Sequence, residues 1–164
     1  MSQASIKRRD AVRGLLVDEA QGSVLLIHTY IPDSGKLIWL APGGGREANE
    51  SETACLFREI EEETGLSTQN TLGPVWVRQK VFKLHQQTFD QHETFYWVPT
   101  TKFEPTADAN PAQQERDIFR GFRWWTLAEM QAAPDQLFVP LTFAQHLHNL
   151  LEHGLPATPI DVGV

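Results

Sequence analysis

Cysteine is almost missing from this chain: Cys55 is the single one in 164 residues. An internal disulfide is excluded, and the chain suits a reducing compartment. Long hydrophobic runs are missing too. No apolar stretch approaches the ~18 residues of a membrane span, and no apolar signal core follows Lys7-Arg8-Arg9. The expectation is a cytoplasmic protein with no membrane partner. Basic charge is scarce, 14 Lys and Arg against 21 Asp and Glu, for a net charge of −7. That argues against a nucleic-acid partner, which needs a basic stripe. It does not argue against a phosphorylated small molecule, because a bound metal ion inverts the local field. A histidine metal pair is missing as well, since His146 and His148, two apart, do not face each other on a helix. There is no internal repeat and no low-complexity block.

What is present suits one globular domain, residues 1–164, with 41% apolar residues, nine Phe and five Trp for its core. Residues 1–10 read as a loosely docked lead-in. Ala11 to Val17 and Val24 to Thr29 read as a hairpin across a turn-rich connection. His28, in the second of these strands, reads as a packing or surface residue. Leu37 to Ala41 is a short strand that delivers a glycine cluster. Val75 to Leu84 and His92 to Val98 read as a second hairpin, its turn at residues 85–91. Glu93, Phe95 and Trp97 share one face of that last strand. The aromatics Trp76, Phe82, Phe89, Phe95, Tyr96 and Trp97 suit the core, or a stacked base. Residues 99–111, with three prolines, read as irregular, and 112–120 as a loop or short helix. Phe122 to Thr126 is a strand, and Thr126 suits the N-cap of a short helix, Leu127 to Ala133. A final helix, Leu141 to His153, opens after Pro140 and closes at Gly154, with Phe143, Leu147, Leu150 and Leu151 as its apolar stripe. The tail reads as an extended strap.

The chemistry is concentrated between Gly44 and Leu66. Gly43, Gly44 and Gly45 let the backbone bend and approach a ligand closely. A helix follows, with Asn49 and Ser51 both suited to its N-cap and Gly65 to its C′ position. At ~100° per residue, Glu59 and Glu63 lie ~40° apart on that helix, and Glu62 lies ~60° to the other side of Glu59. Three carboxylates therefore share one face near the C-terminal end, where neighbours of like charge and the helix dipole both disfavour them. An isolated run would mark a solvated surface. A run that faces one way suits a hard divalent cation such as Mg²⁺, which takes carboxylate oxygens and keeps waters for a phosphate to replace. Arg58 can pair with Glu62 at i,i+4 and fix its rotamer.

The spacing is Gly44, five residues, Glu50, seven residues, Arg58-Glu59, Ile60, any residue, Glu62-Glu63, any residue, Gly65 and Leu66. This resembles the complete box of the Nudix hydrolase family, with no fixed position departing from the pattern. The Gly121-Phe122-Arg123-Trp124-Trp125 segment is similar to a late strand of such domains. The resemblance implies an α/β fold, the Nudix α/β/α sandwich, whose mixed central sheet is covered by the box helix and the C-terminal helix. It implies Mg²⁺ or Mn²⁺ held by Glu59, Glu62 and Glu63, with Glu62, Glu59 and Arg58 in the catalytic set. Gly43, Gly44 and Gly45 would touch substrate. Glu50 would hold the loop, and Glu47 would stand further out. Glu93 would reach the site as a further ligand or lie on its rim. A carboxylate before the late strand serves many such enzymes as general base, and Glu115 takes that place here, with Asp117 behind it.

The reaction so implied is hydrolysis of a diphosphate linkage in a nucleoside diphosphate joined to another group. A non-catalytic nucleotide sensor on the same fold is the alternative. Neither the proline nor the tyrosine that marks some subfamilies beyond the box is present; Phe82 stands there. The substrate so implied is a small nucleotide, and a homodimer is compatible with the exposed hairpins.

Overall fold

The computed structural model describes residues 5–84 and 86–164, together with their side chains except that of Gln114. In chain order its elements are β1 (Ile6–Asp18), β2 (Ser23–Ile31), β3 (Lys36–Leu40), β4 (Gly43–Gly45), α1 (Glu52–Thr64), β5 (Leu72–Leu84), β6 (Gln87–Thr100), α2 (Gln113–Ile118), β7 (Phe119–Thr126), α3 (Leu127–Gln131), α4 (Phe143–His153) and β8 (Ile160–Asp161). They build one mixed sheet in the order β3-β2-β1-β6-β5-β8, with β4 joined to β1 and β7 joined to β2. β1 and β6 are parallel, as are β5 and β8, and the other pairs are antiparallel.

Because side chains alternate along a strand, the sheet sorts its apolar residues into two cores. Leu15, Val24, Leu26, Phe95, Trp97 and Trp76 pack with Phe143, Leu147 and Leu150 of α4. Val12, Leu16, Leu25, Tyr96 and Val98 pack with Cys55, Leu56 and Ile60 of α1. A helix therefore covers each face, as the α/β/α expectation requires.

The sheet splits where the site lies. β1 and β2 pair only at Val17–Val24 and Asp18–Ser23. Beyond that, β2 turns to β3, from Ile27–Leu40 to Ile31–Lys36, while β1 takes the glycine strand at Ala11–Gly45, Val12–Gly44 and Arg13–Gly43. The split opens a cleft between the two halves of the sheet, edged by residues with no side chain.

Several boundaries differ from expectation. Ile6 to Asp10 belong to β1 and pair with Thr88 to His92, so only residues 1–4 of the expected lead-in lie outside the described residues. Their charges conceal the strand because Ile6, Lys7 and Arg8 are exposed, and no apolar alternation is needed there. The turn expected at 85–91 shrinks because β6 begins at Gln87; His85 lies outside the described residues. α4 begins at Phe143 rather than Leu141. The Leu141 N–H donates to the Val164 carbonyl (3.1 Å), and Thr142 Oγ1 donates to that of Val162 (3.0 Å), so the tail holds the residues before the helix. Leu151 is 37% exposed and lies off the stripe. The tail itself adds β8 to the sheet beside Trp76 and Val77. Among the described residues, no helix is long and apolar enough to cross a membrane.

Candidate active site

The glycine strand is fitted against β1 and α1 without room for a side chain. A Cβ on Gly43 would lie 2.1 Å from the Val12 carbonyl oxygen, and one on Gly44 would lie 2.5 Å from the Glu59 carboxyl carbon. The Gly43 N–H donates to Glu63 Oε2 at 2.9 Å. α1 is fixed at both ends. Ser51 Oγ accepts from the Ala54 N–H (3.1 Å), and Gly65, at φ 81, donates to the Glu61 carbonyl (2.9 Å). Asn49, the other candidate cap, is instead a left-handed loop residue at φ 64.

Arg58 organises the helix face. Its Nε and Nη2 grip Glu50 at 2.7 and 2.9 Å, and Nη1 reaches Glu59 (3.0 Å) and Glu62 (3.3 Å). The hydrogen bonds from Arg58 hold the Glu50 carboxyl down at about 2. Those same bonds lead the causes that keep the guanidinium firmly protonated. Glu50 is thus the structural partner it was expected to be. Glu47 is mostly solvent-exposed and stands 3.9 Å from Arg58. Arg58 thus fixes the side chains of Glu59 and Glu62.

Three carboxylates converge beside the glycine strand. Glu59, Glu63 and Glu115 each offer an oxygen within 4.8 Å of the others. Glu59 is 5% exposed, and its Oε2 is buried with no hydrogen-bond partner among the described residues. Burial pushes the Glu59 carboxyl up, and the charge of Glu115 adds to it. Glu63 is pushed well above the usual range by burial and then by Glu59, against the pull of the Gly43 N–H and Arg13. Carboxylates crowded this closely repel one another, and a cation between them relieves that repulsion. The orphaned Oε2 and the all-oxygen donor set fit a hard divalent ion. Glu62, expected among the ligands, is not one of this trio, and its Oε2 accepts from Arg58 Nη1.

Glu115 arrives from α2, on the far side of the cleft, and its Oε2 accepts from Asn110 Nδ2 at 3.0 Å. Asn110 is itself buried, its Oδ1 accepting from the Ala112 N–H (3.0 Å) in an Asx turn. Sequence reading missed Asn110, although an Asn-Pro pair ahead of a helix is a turn signal. Asp117 accepts from Gln113 Nε2 at 2.7 Å and lines the same cleft.

Glu93 requires a correction. It is 2% exposed, and its two oxygens are taken by Arg13 Nε and Arg78 Nη1. Burial raises its pKa, but the charges of Arg13 and Arg78 outweigh burial and bring it below the ordinary value. A carboxylate so occupied is neither a ligand nor a rim residue. It locks Arg13, whose Nη1 donates to the Ala41 carbonyl (2.9 Å) just before the glycine strand.

The cleft encloses about 510 Å³. Glu63, Glu115, Gly43 and Gly44 are among its lining residues, and Ile27, Leu40, Ile118 and Phe119 give it an apolar wall. None of the aromatics weighed from sequence is on that wall. Trp76, Phe95, Tyr96 and Trp97 are core, and Phe82 stacks on Phe89 at 5.6 Å. His28 stacks on Trp39 at 4.1 Å, a packing role.

The family model for the NUDIX domain matches residues 7–145. The mRNA-decapping protein g5R of African swine fever virus (isolate Pig/Kenya/KEN-50/1950) is 39% identical over 56 residues. That match spans 34% of this chain and 22% of the viral protein. Among solved structures, the MutT NUDIX hydrolase from Burkholderia pseudomallei superposes with a TM-score of 0.63 at 22% identity, covering 87% of this chain and 97% of that one. The E. coli ORF135 protein gives 0.61 at 19% identity over 96% and 99% of the two chains. An Ap4A hydrolase of C. elegans gives 0.58 at 11% identity over 89% and 98%. These likenesses show the same fold. With the family match over most of its length and the glutamate helix set against a glycine strand, the chain belongs to the Nudix hydrolase family.

Proposed function

We propose that the protein hydrolyses a diphosphate linkage in a small nucleotide, a nucleoside diphosphate joined to another group, with Mg²⁺ or Mn²⁺ as cofactor. The observation that carries this reading is the convergence of Glu59, Glu63 and Glu115 on one point of the cleft, with Glu59 Oε2 buried and unpartnered. Glu59, Glu62 and Glu63 would hold the ion, with Glu115 beside them. When bound, it neutralises charge on the phosphoryl oxygens and lowers the pKa of water.

The chain's own residues supply position and proton traffic. Arg58 fixes Glu59 and Glu62, and the Gly43 N–H fixes Glu63. Gly43, Gly44 and Gly45 let the substrate's phosphates approach the carboxylates, since no Cβ intervenes. Asn110 ties up one oxygen of Glu115, and the other accepts the proton of the attacking water. Water oxygen bonds to one phosphorus, the bridging P–O bond breaks, and the bridging oxygen leaves with the second phosphate. Catalysis of this kind is mostly positioning and electrostatic stabilisation. The apolar wall of Ile27, Leu40, Ile118 and Phe119 suits the nucleoside. The net charge of −7 favours a free nucleotide over an RNA end. The complete set of glutamates supports turnover over mere sensing.

The test is a product screen. Purified protein with Mg²⁺ or Mn²⁺ is incubated with nucleoside triphosphates, ADP-ribose, nucleotide sugars, dinucleoside polyphosphates and NADH, beside Glu62→Gln and Glu63→Gln. Hydrolysis by wild type and not by the variants supports the reading. Nucleotide binding without turnover of any substrate would replace it with the sensor reading.

A further inference from the structure

Three arginines line the cleft, and two of them are engaged. Arg13 is closed by Glu93 and the Ala41 carbonyl, and Arg116 gives Nη2 to Gln113 Oε1 at 2.6 Å. Arg9 differs. It is half-buried on β1 and lines the same cavity as Glu63 and Glu115. Its backbone pairs in the sheet beside Gln91, but among the described residues its guanidinium donates no hydrogen bond and joins no ion pair.

Its position is defined by the glycine strand. A Cβ on Gly45 would lie 3.0 Å from Arg9 Nε and 3.1 Å from Nη2, so the guanidinium packs on bare backbone. Gly44 meets the Glu59 carboxylate in the same manner, and Gly43 donates to Glu63. Gly44 and Gly45 point to opposite faces of the strand, so the Glu59 carboxylate and the Arg9 guanidinium flank the bare backbone from its two sides. Arg9 shares the cleft lining with Glu63 and Glu115 and, among the described residues, is paired with neither. A partly buried guanidinium with open donors is the complement of a phosphate, which its planar fork can bind bidentately.

We propose that Arg9 binds a phosphoryl group of the substrate beyond the linkage that the carboxylates address. The chain would then select nucleotides whose diphosphate carries a further ionised phosphate, such as nucleoside triphosphates, over those carrying a neutral sugar. A sugar in that place leaves the guanidinium desolvated with no anion, which counts against the wrong substrate. The proposal rests on the hydrolase reading for its substrate but not for its binding.

The experiment compares Arg9→Gln and Arg9→Lys with wild type on a nucleoside triphosphate and on a nucleoside diphosphate sugar, with Mg²⁺. Arg8→Gln is the charge control, because Arg8 is exposed and paired with Asp10. Loss of a charged hydrogen-bonding partner predicts a drop of about ten- to a hundredfold in kcat/KM for the triphosphate. The drop should lie mainly in KM, be partly recovered by lysine, and be under about threefold for the sugar substrate. Equal losses on both substrates, or no loss, overturn the proposal. Calorimetric binding of inorganic triphosphate separates the two readings. If wild type hydrolyses nothing but Arg9→Gln still binds triphosphate about tenfold more weakly, Arg9 keeps its role and the hydrolase reading falls. Unchanged binding overturns the proposal.

Discussion

Replacing Gly44 by alanine separates the geometry of the site from the stability of the fold. The new Cβ would lie 2.5 Å from the carboxyl carbon and Oε1 of Glu59, and 2.7 Å from Oε2. Carbon contacts relax at about 3.5–4.0 Å, so the carboxylate must shift by about 1 Å. The group that moves is the end of a side chain and not backbone, which keeps the stability cost near about 1 kcal/mol. That corresponds to about 2–4 °C in Tm for a chain of this size. The site is less forgiving. Glu59 is 5% exposed, and its Oε1 accepts from Arg58 at 3.0 Å, so no solvated position lies close by. A misplacement of about 1 Å among positioned groups costs about a hundredfold in rate. Steady-state hydrolysis at saturating Mg²⁺, with Tm measured alongside, should show that loss in a protein that remains folded. Wild-type kcat/KM in folded Gly44→Ala, or a loss explained wholly by unfolding, would refute the reasoning.

Two other outcomes follow from the charges around the cleft. In metal-free protein, burial and mutual repulsion raise Glu59 and Glu63 above the ordinary value of 4.5, so the native state binds more protons than the unfolded chain. Their contribution is then fully favourable below that value and is lost as pH rises through the raised values. Tm in EDTA should fall from about pH 5 toward pH 8 more steeply in wild type than in Glu63→Gln, and Mg²⁺ should restore it most at the higher pH; identical slopes in both proteins contradict this. Glu93→Gln removes the buried anion shared by Arg13 and Arg78, and breaking such a pair from one side costs about 3–5 kcal/mol in urea unfolding. A loss below about 1 kcal/mol would show that the cluster is not holding β1 and β5 to β6.

The parts of this protein legible in its sequence are those governed by local period and local caps. Helical spacing placed Glu59 and Glu63 together, Ser51 and Gly65 marked the ends of α1, and Thr126 marked the start of α3, where it forms a capping box with Glu129. The Phe143, Leu147 and Leu150 stripe found its core. What escaped depends on cross-strand register and on chain folding back over distance. Arg78 lies directly opposite Glu93 on the neighbouring strand, and only that register shows that Glu93 is already taken. Lys7 to Asp10 are strand residues because β6 offers them a main-chain partner, and their side chains show no sign of it. Glu62 shares a helical face with Glu59, yet its carboxylate is turned to Arg58 and is not one of the trio, while the Gly43 N–H holds Glu63 there. The resemblance, and not the local pattern, pointed to Glu115. Its approach relies on the irregular stretch before α2, where Asn110 turns the chain toward the cleft. Phe119 was missed on the apolar wall because β7 begins three residues earlier than its apolar pattern suggests.

Hydrolysis rate against Mg²⁺ concentration should be measured for wild type, Glu59→Gln and Glu63→Gln on the substrate that the screen identifies. Saturable activation of wild type is expected, with no turnover in EDTA. Both variants should be slower by about a hundred- to a thousandfold even at high Mg²⁺, as for loss of one member of a preorganised charge-stabilising site. Turnover by wild type in EDTA, or wild-type rates in both variants, would contradict a metal held by Glu59 and Glu63.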